Sequence, residues 1–345
     1  MAGGRGLLVD AYGHGVEPGD LGIGAFEARL PGVAAPRTTL FDSPAGFAVR
    51  RWCPPLLGLE PHCTPARYLA RRRELGAYEA VRLLLRGTGI GAYLVDTGAP
   101  GELTPPEELG GAGGAAAYEI VRLEQLAQQV ADTSGTVGGF LANLAESVRG
   151  AALGAVGFAC EAEPLGVAPA HGPPGLVPLR RAAAGWLARR RVGERPADPV
   201  LLHHLAWQAL AAGRPLALRY AQHGPGEGFL RATAGLGADV VLLPGPAHEA
   251  AAARLAAELP HVYLAVGADP APALARAPFG KVLYAGGAAG LPELYVTAAR
   301  GFLAALDRLV AERVAAGEWS APDAARVAAL VRAGNARRVY GLPGA

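Results

Sequence analysis

Lysine is almost missing from this chain: Lys281 is the single one among 32 Lys and Arg residues. Cysteine is scarce too, with Cys53, Cys63 and Cys160 the only three in 345 residues. An odd count in a long chain implies no disulfide framework, and a reducing cytoplasm is the expected setting. An excess of one charge is lacking: 32 basic against 30 acidic residues leave a formal net charge of +2. Such a weak balance predicts neither nucleic acid nor an anionic membrane as partner. Long hydrophobic runs are lacking as well. The N-terminal run is only Leu7-Leu8-Val9, too short for the core of a signal peptide. No stretch approaches the roughly 18 apolar residues of a membrane span. No G-x-G-x-x-G opens a helix after an early strand, which argues against a dinucleotide site.

What is present is a rhythm. Eight short apolar runs end in small or polar residues: 5–15, 91–98, 118–124, 154–161, 215–224, 238–245, 261–267 and 280–287. Each is nearly continuous, as expected of parallel strands covered on both faces. Helix-like stretches alternate with them at 65–89, 104–117, 134–152, 177–191, 198–213, 226–237, 248–259 and 291–317. The alternation predicts an α/β chain folded as a (β/α)₈ TIM barrel, one domain over residues 1–345. An open doubly wound sheet is the alternative. The pattern adds a long insertion after strand 1 and an extra C-terminal helix at 320–341, started by Ser320 and stopped by Gly341. Residues 16–64 are rich in Pro and Gly and follow strand 1, where barrel loops cover the active face. They form a lid-like insertion in which Arg50, Arg51, Trp52 and His62 are candidate substrate-binding residues. An ordinary surface loop is the other reading.

The strand ends carry the candidate chemistry. Strand 1 ends in Asp10, Tyr12 and His14, which period-two alternation puts on one side. Asp96, Arg122, Glu124, Glu161, Arg219 and Tyr220 stand at other strand ends, with His223 in the loop after strand 5. Arg122 and Glu124 are expected on one face of strand 3, either gripping a substrate or forming a structural ion pair. Asp10 and Asp96 either serve the site or tie loops at the rim. Cys160 is read as a small buried thiol or a nucleophile.

With the strands placed, "LLVDAYGHGV", "FLANLAESV", "DPVLLHHL", "FLRATAGLGADVVLL", "LPHVYLAVG", "PFGKVLY", "GLPELY" and "AGNARRVYGL" resemble the amidohydrolase superfamily. The resemblance is narrower to its family 2 amidohydrolases, in the bacterial branch related to proteins associated with glutamine-synthetase-like partners. It covers most of the chain. It implies a barrel with one or two divalent metals, often zinc, activating water against a carbonyl or related carbon. It also implies a glutamine-synthetase-like pathway partner. Implied ligands are a His-x-His on strand 1, a carboxylated lysine or acid on strand 4, histidines on strands 5 and 6, and an aspartate on strand 8. At those positions this chain has Tyr12 and His14, Ala159, Arg219, Pro244 and Gly287. Realignment supplies no ligating lysine, because Lys281 starts strand 8. Most of the ligand set is therefore expected to be lost, leaving no metal and no other cofactor. A relocated site from His14, His223 and Cys160 is a remaining alternative.

The metal-free expectation gives Arg219 the role of positive centre for a carboxylate or oxyanion, and His14 the role of general acid or base. Tyr12 orients His14 or donates a proton. Glu124 and Arg122 hold the rest of a small polar substrate, with Tyr220 and His223 nearby. Such a set suits a lyase, isomerase or cyclisation step. The alternatives are a pseudoenzyme that binds a ligand or partner, and a conventional metal-dependent C–N hydrolase. The apolar terminal helices add the expectation of a homodimer.

Overall fold

The computed structural model describes residues 8–166 and 172–343. They form eight strands in a single sheet of order β1 to β8, closing into a nearly complete (β/α)₈ barrel. The strands are β1 (Leu8–Gly13), β2 (Ile90–Asp96), β3 (Ala116–Arg122), β4 (Gly157–Glu161), β5 (Leu216–Tyr220), β6 (Val240–Pro244), β7 (Val262–Val266) and β8 (Val282–Tyr284). All eight expected strands are there, within a few residues. Residues 5–7 of the first run lie outside the described residues.

The helices follow the predicted rhythm, with additions. Before β2 come α1 (Ile23–Glu27), α2 (Pro44–Trp52), α3 (Pro65–Leu75) and α4 (Ala77–Arg86). The stretch 65–89, read as one helix, is two. Gly76 sits between them at φ +81°, which breaks the hydrogen-bond ladder. Then come α5 (Pro106–Gly113), α6 (Leu123–Thr133), α7 (Val137–Gly154), α8 (Leu176–Arg189) and α9 (Pro199–Ala211). After β5 follow α10 (Glu227–Thr233), α11 (Glu249–Glu258), α12 (Ala271–Leu274), α13 (Pro292–Ala315), α14 (Ala321–Ala329) and α15 (Asn335–Tyr340). Capping sets several starts. The side chains of Ser43, Thr64, Thr136, Asp198 and Ser320 each accept a backbone N–H in the first turn of α2, α3, α7, α9 and α14. The expected helix 320–341 is interrupted by a π-helical turn at Leu330–Gly334.

The helix α6 is an addition. Leu123, Ala127, Val130 and Ala131 recur at helical spacing and are buried. It corrects one expectation: Glu124 does not share a face of β3 with Arg122. Arg122 ends β3, and Glu124 lies in the first turn of α6.

The chain packs as two compact units. One contains residues through Tyr118, Gly267–Ala271 and Tyr284–Ala333; the other contains Glu119–Val266, Pro272–Leu283 and the residues from Gly334. In the first, the insertion 16–64 is helical rather than bare loop. Phe26, Phe41, Val49, Leu57, Tyr68 and Leu69 build a core with Leu84, Leu291 and Val296. Inside that core the Tyr68 hydroxyl donates to Glu293 at 2.6 Å, and Arg72 pairs with the same carboxylate at 3.3 Å. In the second unit, Leu216, Leu218, Val240, Leu242, Val262 and Leu264 are fully buried apolar residues of β5, β6 and β7. Lys281 belongs to this unit. Its ammonium donates to the carbonyls of Leu259 and Val262, each at 3.1 Å, and of Pro260, and lies 4.4 Å from the Tyr263 ring centroid.

Candidate functional site

In the first unit, the end of β1 meets the end of β2. The Tyr12 hydroxyl donates to Asp96 Oδ2 at 2.5 Å, and His14 Nδ1 lies 2.9 Å from the Asp96 carbonyl. A carbonyl only accepts, so Nδ1 carries the hydrogen in this bond. Neutral His14 then has its lone pair on Nε2, the arrangement a general base needs. The Tyr12 and His14 rings meet edge to face at 5.3 Å. Asp10 lies beneath them and is fully buried. Its Oδ1 accepts from the backbone of Gly286 at 2.8 Å and of Tyr12 at 3.3 Å. Burial pushes its carboxyl up to about 7, against those two hydrogen bonds.

In the second unit, parallel register puts Glu161 of β4 opposite Arg219 of β5. Arg219 donates to Glu161 Oε1 from Nε at 3.0 Å and from Nη2 at 2.5 Å. Arg122 donates to the same oxygen at 2.9 Å. One carboxylate thus serves two guanidiniums. Arg122 is buried, whereas about half of the Arg219 side chain is exposed (52%). Glu124, only 4% exposed, accepts the Glu161 N–H at 2.6 Å through Oε1, while its Oε2 has no hydrogen-bond partner. Burial raises its pKa, opposed by the Arg122 charge and the Glu161 N–H. Cys160 is fully buried, and burial followed by the Glu124 charge pushes its thiol well above the ordinary range. It is a thiol rather than a thiolate, so the packing role suits it better than the nucleophilic one.

The remaining predicted residues separate. Tyr220 is buried, its ring 6.0 Å from His248, and burial raises its hydroxyl to about 12. His223 is exposed. Arg50 pairs with Asp42 at 3.4 Å and lies over Phe47; Arg51 lies over Trp52. His62 is exposed at φ +60°, its ring 6.3 Å from Phe47. Trp52 lines a cavity of about 550 Å³ that Arg50, Arg51 and His62 do not line. Two functional partners escaped sequence reasoning in their roles. Glu161 was visible as a polar strand end, but not as the bridge between two arginines. Asp96 acts on His14 through its backbone carbonyl, which no residue identity reveals.

The positions implied as metal ligands do not fit a divalent ion. The Tyr12 hydroxyl is engaged by Asp96, Ala159, Pro244 and Gly287 offer no side-chain donor, and Arg219 is a fixed cation paired with Glu161. Among the described residues, no group of three or more His, Cys, Asp or Glu is placed to hold a metal ion.

No protein-family model matches the chain, and no curated protein matches it. Solved structures do. A protein from Lactobacillus casei ATCC 334 assigned as a metal-dependent hydrolase is 20% identical, with a TM-score of 0.79 over 97% of this chain and 95% of that one. A uronate isomerase from Thermotoga maritima is 13% identical, with a TM-score of 0.67 over 97% and 94%. A second uronate isomerase, from Bacillus halodurans C-125, gives 13% and 0.60 over 97% and 93%. The likeness shows the fold, a (β/α)₈ barrel. At these identities the likeness reaches the barrel fold and stops there, because chemistry resides in the site rather than in the fold. Among the described residues, no helix is long and apolar enough to cross a membrane.

Proposed function

We propose that the chain is an enzyme acting on a small carboxylate-bearing molecule by acid–base chemistry that uses side chains alone. The observation that carries this reading is the shared Glu161 carboxylate. It holds Arg122 and Arg219 together, with Arg219 half exposed where a substrate carboxylate can reach it. Arginine suits this role through its planar fork of donors. Glu124 is the proposed proton donor, its carboxyl raised above the ordinary range by burial. His14 of the first unit, its tautomer set by Asp96 and its ring faced by Tyr12, is a separate acid–base candidate. The uronate isomerases among the shape relatives suggest sugar acids as the first substrates to try. A lyase or isomerase step fits these groups better than hydrolysis, since nothing in the set ionises water.

A binding barrel without catalysis is the second reading, favoured by the 4% exposure of Glu124. The test is a screen of hydroxy and sugar carboxylates against the wild type, Arg219→Ala and Glu124→Gln. The enzyme reading expects turnover that Arg219→Ala lowers mainly through KM and Glu124→Gln lowers about 10²-fold or more in kcat. Binding without turnover in the wild type, lost in Arg219→Ala, would establish the second reading.

A further inference from the structure

The second unit holds a cavity of about 630 Å³ between the C-terminal parts of α7 and α9. That volume lies in the range of small-molecule sites. Arg149, Ala152 and Leu153 of α7 line it, with Gln208 and Ala211 of α9. Spacings of three and four residues put each set on one helix face. Arg214, between α9 and β5, completes the lining.

The charge of this lining has one sign. Two guanidiniums line the cavity, and among the described residues no carboxylate does. Arg149 is exposed and makes no hydrogen bond or ion pair among the described residues. Arg214 is half-buried, and its Nε donates to the Ala152 carbonyl at 2.8 Å. That bond meets the carbonyl end of α7, which favours a cation. It also fixes the guanidinium beside α7, one turn on from Arg149. The two outer nitrogens of the Arg214 fork make no hydrogen bond among the described residues. Other surface arginines of this chain, Arg67, Arg231, Arg254, Arg313 and Arg326, each pair with a carboxylate. Beside the two unanswered charges, the Leu153 side chain is 86% exposed.

We propose that this cavity binds a small amphipathic oxyanion, a phosphate monoester or carboxylate carried on a compact apolar body. Arg149 and the outer nitrogens of Arg214 receive the oxygens, as guanidinium forks do. The Gln208 amide supplies a further donor. Ala152, Leu153 and Ala211 take the apolar body. Both arginines line the cavity themselves, so the groups that select the ligand are the ones it meets. The site is separate from the Glu161 cluster. The helices α7 and α9 lead into the starts of β4 and β5, whereas Glu161 and Arg219 stand at the far ends of those strands. At about 3.3 Å per residue, Arg214 and Arg219 are roughly 16 Å apart along the chain.

The experiment is calorimetric titration of the full chain carrying Arg219→Ala, at low salt, with phenyl phosphate and with phenylacetate. The Arg219→Ala change removes the exposed cation of the Glu161 cluster as a competing anion site. Benzyl alcohol is the neutral control. The site predicts one-to-one binding of at least one anion, at least tenfold tighter than benzyl alcohol. The tighter of the two identifies the head group. Arg149→Glu alters an exposed side chain without a partner, so the variant folds, and it weakens the bound anion at least tenfold. The same loss is expected on the wild-type background, which keeps the test decisive if Arg219→Ala folds poorly. Leu153→Ser weakens the amphipathic anion at least threefold and leaves inorganic phosphate unchanged. Failure of both anions to bind overturns the site. Binding indifferent to Arg149→Glu, or benzyl alcohol equal to the anions, overturns it as well. None of these outcomes depends on turnover.

Discussion

At the residue scale, two side chains carry measurable consequences of burial. Asp10 is pushed from 3.8 to about 7. Below about pH 4, folded and unfolded chains both keep this proton. From about pH 4 to 7 the unfolded chain releases it and the folded chain retains it, so folding stability falls as pH rises through that window and levels off above it. Asp10→Asn keeps the acceptor for the Gly286 N–H and removes the titration. Thermal melts from pH 4 to 8 are expected to show the variant gaining on the wild type by a few kcal/mol as pH rises. Equal slopes would contradict the buried, protonated carboxyl. Lys281 is the second case. Its compact ammonium serves three carbonyls from one point, which a planar guanidinium does not reproduce. Lys281→Arg is expected to cost about 1–2 kcal/mol in urea unfolding, although arginine is the default cation elsewhere in the chain. The sequence exposed Tyr12, His14, Arg122, Glu124 and Arg219 as strand-end residues by their polarity after apolar runs. It hid which of them meet, because the Glu161 bridge depends on register between strands 58 residues apart.

At the element scale, strands were easier to read than helix boundaries. Parallel strands announce themselves by continuous apolar runs. The start of α6 is concealed because β3 passes into it with no loop between, so an uninterrupted apolar–polar pattern looked like strand through Glu124. The C-terminal segment hid its break for a related reason: the π-helical turn keeps a helical pattern of side chains. Asn335, just past that turn, donates through Nδ2 to the carbonyls of Phe279 and Val282, each at 2.7 Å. These two bonds hold the start of β8, a strand of only three residues. Asn335→Ala leaves two carbonyls without their donor and is expected to cost roughly 2–3 kcal/mol. Hydrogen exchange should show the loss concentrated at Val282–Tyr284. A loss spread evenly over the chain would argue against this local role.

At the scale of the whole molecule, the barrel was legible because eight alternations leave few topologies to choose from. The chemistry was less legible, because a retained barrel says little about retained ligands. The proposed metal-independent reaction has a direct check. After dialysis against a chelator, the purified protein is expected to hold well below one equivalent of zinc or any other transition metal, by elemental analysis. A full equivalent surviving that treatment would sink the assignment of Arg219 as the positive centre.

Gly287 gives the barrel an unusual kind of openness to redesign. Its backbone is left-handed at φ +61°, and nothing lies within 4 Å of where a side chain would begin. Aspartate tolerates that conformation better than most residues. A carboxylate could therefore be installed at the end of β8 with little steric obstruction. At β5 the obstacle is different: replacing Arg219 by histidine would strip Glu161 of one of its two partners. Building a metal site into this scaffold would thus be limited by rewiring a charge network, not by finding room.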